Sequence, residues 1–156
     1  MKQLFFVDES VAGRCGPDRH MWNVDELCQN NVAAILSLND GKMVNVSLLK
    51  TLEIAYKNIP IPSNAPYLDG ELELCLNYLP QIIDFIELHK SNGLVVVHCK
   101  AGKDRTGLIL AAYLMHKRNL LPSEAMDAVK QVRSIAFTAL GWEEFSAEVL
   151  RSLSDK

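Results

Sequence analysis

No run of apolar residues in this chain approaches the roughly 18 that a membrane-spanning helix requires. The stretch Met1-Lys2-Gln3-Leu4-Phe5-Phe6-Val7-Asp8-Glu9 has only four in a row before two acids. A secretory h-region needs about 7–15, so no export signal is expected, and Leu4–Val7 reads as a first strand. Basic residues are not in excess: 16 Lys and Arg face 19 Asp and Glu, a net charge of −3. A bulk nucleic-acid binder carries the opposite balance. No nucleic-acid partner is therefore expected, and any recognition of phosphate must be local. No C-x-x-C pair occurs among Cys15, Cys28, Cys75 and Cys99, which removes a zinc ribbon and a dithiol redox centre. Free thiols without a signal fit a reducing, cytoplasmic setting. The chain also lacks internal repeats, linker-like runs and a basic amphipathic helix, so no stable membrane insertion is expected.

What the chain does have is ordinary globular composition, 49% hydrophobic and 22% charged over 156 residues. That length suits a single domain spanning 1–156, able to bury a core without a disulfide or metal staple. Strand-like and helix-like pieces alternate. Val32–Leu38 is a nearly continuous apolar run, as in a strand buried on both faces, and Asn39-Asp40-Gly41 ends it. Asn23, with Glu26 three residues on, caps a short helix. A helical piece is expected around Ser47–Tyr56, and Gly13-Arg14-Cys15-Gly16-Pro17 reads as a loop. Leu72, Cys75, Leu76, Leu79, Ile82, Ile83 and Ile86 form one helical stripe, kinked at Pro80. Leu94–Val97 is the clearest strand. Leu108–Lys117 is apolar nearly all round, hence a buried helix, while Ser123–Val132 and Trp142–Leu153 are amphipathic. The fold class is α/β: a central, mostly parallel sheet flanked by helices.

The chemistry concentrates in Val97-His98-Cys99-Lys100-Ala101-Gly102-Lys103-Asp104-Arg105-Thr106-Gly107. This stretch leaves a buried strand and opens a helix, where unpaired backbone N–H groups and the helix dipole favour an anion. Gly102 and Gly107 permit positive φ and close backbone approach. A cysteine in such a cradle is disposed to act as a thiolate nucleophile, and the Arg105 fork can grip two phosphoryl oxygens. The five residues from Lys100 to Asp104 are enough to wrap one phosphate. A Walker-type loop is excluded, because Lys103 is followed by Asp104 and His98 stands where its first glycine belongs.

His98-Cys99, five residues, then Arg105-Thr106-Gly107 resembles the signature of cysteine-dependent protein tyrosine and dual-specificity phosphatases. The layout from Ile59-Pro60-Ile61-Pro62 to the C-terminal helices is similar to the small dual-specificity branch. The resemblance implies phosphomonoester hydrolysis without metal or cofactor, with a phosphorylated protein or a phosphoinositide as substrate. It implies Cys99 as the nucleophile, forming a phosphocysteine. Arg105 and the loop from Lys100 through Ala101, Gly102, Lys103 and Asp104 would bind phosphate, Thr106 would hydrogen-bond the sulfur, and His98 would hold the loop's shape. A catalytically weak phosphate-binding pseudophosphatase is the alternative. Such proteins lose the cysteine or arginine, and both are present here.

One departure concerns the general acid. The family usually carries an Asp on a loop after an Ile-Pro-like strand end, and here Ser63 and Asn64 follow that end. Asp104 is one candidate, since its Cys-x-x-Gly-Lys-Asp-Arg setting resembles myotubularins and some bacterial phosphatases. Asp69, thirty residues before Cys99, is the other. The Cys-Lys-Ala-Gly-Lys run resembles the tensin-homologue loop, and Lys100 with Lys103 suits a substrate carrying more than one phosphate.

Overall fold

The computed structural model describes residues 3–63 and 66–155. Five strands form one sheet in the order β1-β2-β5-β3-β4: β1 Phe5–Phe6, β2 Val11–Arg14, β3 Val32–Ser37, β4 Ala55–Asn58 and β5 Leu94–His98. Only β1 is antiparallel; β2, β5, β3 and β4 run parallel. The expected mostly parallel α/β sheet is therefore present. Helices α1 (Val24–Gln29) and α2 (Val46–Thr51) pack on one face with Ala12, Ile35 and Val96. The other face carries α3 (Glu71–His89), α4 (Asp104–Arg118), α5 (Pro122–Val132) and α6 (Trp142–Ser154) over Val11, Leu36, Val95 and Val97. The central strand β5 is buried at every residue, as its Leu-Val-Val-Val run requires in a sheet covered on both sides.

Helix α4 is buried from Thr106 through Leu114, the consequence of an apolar surface all round. An Asp8 brace fixes it against the β1–β2 hairpin. Asp8 Oδ1 accepts from the Ser10 and Val11 amides, each at 2.8 Å, while Oδ2 accepts from Tyr113 Oη at 2.6 Å and Lys117 Nζ at 2.7 Å. Burial alone would raise the Asp8 carboxyl, but these bonds outweigh it and hold the group below its ordinary value. Asn23 caps α1 as expected, accepting from the Asp25 amide at 2.8 Å.

Two stretches depart from the sequence reading. Gly13 and Arg14, expected in a loop, belong to β2, and the register pairs Arg14 with His98. The helix expected to reach Tyr56 ends at Thr51, and Ala55–Asn58 is the edge strand paired to β3. Pro80 lies on the exposed side of α3, and the helix continues unbroken through it.

Candidate active site

The stretch from Cys99 to Lys103 leaves β5 at its C-terminal end and enters α4 at Asp104. Cys99 is buried at the foot of this loop, and Thr106 Oγ1, in the first turn of α4, donates to its Sγ at 3.0 Å. Gly102 takes φ +65, and a Cβ there would stand 2.6 Å from the Arg14 carbonyl and the Cys15 nitrogen. Any larger residue would push the loop off β2. Gly107, by contrast, is an ordinary helical residue, and the Phe137 ring packs close against it.

Cys99, Lys100, Ala101, Asp104 and Arg105 line a cavity of about 240 Å³ together with Arg19, Ser63, Ala139 and Trp142. Larger grooves of about 390 and 480 Å³ lie among the helices, but neither is lined by a cysteine or by the loop. The cavity brings together the sulfur, two guanidiniums, Arg19 and Arg105, neither paired with a carboxylate among the described residues, and one carboxylate, Asp104. Asp104 Oδ1 accepts from the Ala139 amide at 3.4 Å, and its Oδ2 lies 3.4 Å from Lys103 Nζ.

Four predicted residues are not part of this lining: Gly102, which rests against Arg14, Thr106, whose hydroxyl reaches the Cys99 sulfur from α4, and the pair Asp69 and Lys103. Asp69 is exposed in the turn before α3. Lys103 is turned away, its ammonium held by Thr138 Oγ1 at 3.1 Å and drawn to Asp104, so of the two loop lysines only Lys100 lines the cavity. Ser63 does line it, while Asn64 lies outside the described residues.

Sequence reasoning missed the groups around the loop. Arg14, almost wholly buried, donates to the carbonyls of Cys15 at 3.0 Å and His20 at 2.9 Å. The Gly16 amide donates to Lys100 O at 2.9 Å. Arg133, the residue closing α5, donates from Nε to Gly102 O at 3.1 Å and from Nη2 to Ala101 O at 2.9 Å. Arg133 carries no local sequence signal, because it acts across the fold, whereas Arg14 donates to near neighbours in the chain.

His98 is fully buried, and its tautomer follows from its partners. Nδ1 is 2.9 Å from Cys99 O, which can only accept, so Nδ1 carries the proton. Nε2 therefore accepts from Ser37 Oγ, which in turn accepts from Tyr56 Oη at 2.8 Å. Burial pushes His98 down to about 4 from 6.5. Between those values the unfolded chain binds a proton that the folded chain refuses, so stability is complete above about 6.5 and falls as the pH drops toward 4. The expected loss across that window is on the order of 3 kcal/mol. Urea midpoints measured from pH 7 to 4 should show it, and His98→Gln should flatten the slope. An unchanged slope would mean that other groups carry the acid sensitivity.

The family model for the catalytic domain of dual specificity phosphatases matches residues 17–143. The chain belongs to this family. Dual specificity protein phosphatase 1 of Arabidopsis thaliana is 31% identical over 123 residues, covering 72% of this chain and 59% of that protein. Dual specificity protein phosphatase 5 of Rattus norvegicus is 28% identical over 142 residues, covering 88% of this chain and 34% of that protein. The chain thus spans about three-fifths of one curated relative and about a third of the other. Among solved structures, Tk-PTP in its active form superposes with a TM-score of 0.78 at 24% identity, covering 99% of this chain and 98% of that one. PTPMT1 in complex with PI(5)P does so at 0.72 and 18% identity, covering 97% of each. These neighbours share this chain's fold over nearly its whole length.

Proposed function

We propose that the chain, as a single catalytic domain over residues 1–156, hydrolyses phosphomonoesters through a phosphocysteine in a reducing, cytoplasmic compartment. The observation that carries this reading is the Cys99 sulfur at the foot of the cavity, hydrogen-bonded by Thr106 and sharing the cavity wall with Arg105. In the first step the Cys99 thiolate attacks phosphorus, the bond to the leaving oxygen breaks, and that oxygen takes a proton from a carboxylic acid. Asp104 is the carboxylate available for this within the cavity wall. Arg105 and the loop N–H groups hold the non-bridging oxygens as charge shifts onto them. In the second step water attacks phosphorus, its proton passes to the Asp104 carboxylate, the S–P bond breaks, and Thr106 stabilises the departing thiolate. The pseudophosphatase alternative is not favoured, since nucleophile and arginine are both in place.

The substrate is a phosphorylated protein or a phosphoinositide. Lys100 and Arg19 add positive charge to the cavity wall, which suits a second phosphate on the substrate. PTPMT1, a neighbour in fold, was solved with PI(5)P bound, which supports including inositides. The test is kcat/KM on phosphotyrosine, phosphoserine and phosphothreonine peptides and on phosphoinositides, with EDTA present and with orthovanadate as inhibitor. Turnover insensitive to EDTA and blocked by orthovanadate is expected. Lys100→Ala should lower kcat/KM more for an inositide bisphosphate than for a small aryl phosphate. No turnover on any substrate would leave only a phosphate-binding module.

A further inference from the structure

The phosphate loop must present its N–H groups inward, yet the residues within it that point donors at a phosphate do not hold their own peptide planes. The described structure has a candidate for that task outside the loop. The Arg133 guanidinium reaches the carbonyls of two consecutive loop residues, Gly102 O through Nε at 3.1 Å and Ala101 O through Nη2 at 2.9 Å. A trans peptide is planar, with its C=O and N–H directed oppositely. A guanidinium that draws the Ala101 and Gly102 carbonyls to the outside therefore turns the N–H groups of Gly102 and Lys103 to the other side of the same planes.

The arginine is itself held. Its own amide donates to Val129 O at 2.8 Å, and its guanidinium stacks over the Phe5 ring, 5.2 Å from the centroid. Among the described residues no carboxylate lies within ion-pair distance of it. Its charge is then not neutralised locally and adds to the positive field behind the loop. Gly102 also rests against the Arg14 carbonyl, so both β2 and Arg133 hold the loop.

We propose that Arg133 is a positioning residue of the phosphate loop, one that aims the Gly102 and Lys103 amides at the substrate's non-bridging oxygens. This rests on the phosphatase reading above. A fork that holds two carbonyls cannot be replaced by an ammonium, which is a point donor. Its effect should also be larger in the transition state than in the ground state, because the oxygens gain charge as phosphorus is transferred.

The experiment compares the parent with Arg133→Met, Arg133→Lys and Arg133→Gln on one activated aryl phosphate, with orthovanadate inhibition and thermal melting measured on each. Arg133→Met is expected to lose about 10² in kcat, with KM changed far less, the penalty of a reacting group misplaced by about 1 Å. Orthovanadate should bind more weakly by at least about tenfold, since the same donors hold it. Arg133→Lys, which keeps the charge, should recover only part of kcat. Arg133→Gln, a smaller perturbation that keeps one donor, provides the same comparison if Arg133→Met does not fold. Variants that melt lower but keep the parent's kcat and orthovanadate affinity would overturn the proposal. So would an Arg133→Lys that equals the parent, since charge alone would then suffice. A parent that neither turns over nor binds orthovanadate would overturn the phosphatase reading, and the positioning role with it.

Discussion

Cys99→Ser is expected to lower kcat by at least about 10⁴-fold, the scale on which losing a nucleophile is felt, while the variant still binds inorganic phosphate. A serine hydroxyl is a poor nucleophile unless a neighbouring base takes its proton. Asp104 must be protonated in this step to serve as the acid, and neither side chain beside the nucleophile can serve as the base. The adjacent His98 spends Nδ1 on the Cys99 carbonyl and Nε2 on Ser37, and burial leaves it a weak base. Thr106 donates toward the nucleophile's position and so cannot also deprotonate it. The sulfur must therefore be reactive by itself, and oxygen in its place cannot be. Binding survives because the loop amides and Arg105 are untouched. Single-turnover measurements with phosphate titrations check both halves. Residual activity within tenfold of the parent would sink the covalent mechanism. Arg105→Lys should lose about 10²–10³ in kcat, comparable to removal of a transition-state donor, because an ammonium cannot grip two oxygens at once.

These residues were legible in the sequence because the loop is contiguous. Strand, nucleophile, glycine, arginine and helix follow one another, so a local pattern contains the whole cradle. The central strand β5 and helix α4 were legible for the same reason, since their apolar runs report burial directly. Strand β2 was not. Gly13-Arg14-Cys15-Gly16 reads as a turn, yet Gly13 is in the sheet because the Phe5 ring occupies the space a side chain would take. Arg14 is a buried cation that donates to the carbonyls of its near neighbours Cys15 and His20, and no apolar pattern marks a buried arginine. Ala55–Asn58 likewise became a strand through pairing with β3, where half-exposed polar residues gave no alternation. The Ser37, Tyr56 and His98 chain joins three strands, and Arg133 reaches the loop from the end of α5. Such contacts have no period and no spacing.

The general acid depends on the same distinction between local pattern and tertiary placement, and leaving groups resolve it. An alkoxide departs poorly without a proton, whereas an activated aryl oxide departs well by itself. Among the described residues Asp104 is the one carboxylate in the cavity wall, and Ser63 lines that wall just past the strand end where an Asp is usual in the family. Its position at the start of α4 is fixed by the Ala139 amide and by Lys103, which orients the carboxyl without removing it from the cavity. Asp104→Asn is therefore expected to slow hydrolysis of an alkyl phosphate by roughly 10²–10⁴, the range for a positioned acid. It should cost much less on an activated aryl phosphate, whose leaving oxygen needs no proton. Asp69→Asn should behave almost like the parent, since Asp69 is exposed ahead of α3. A Brønsted plot over leaving groups makes the comparison: the parent nearly flat, Asp104→Asn steep. If Asp69→Asn is steep and Asp104→Asn is flat, the turn before α3 closes over the cavity during turnover, and Asp69 is the residue that gives the proton.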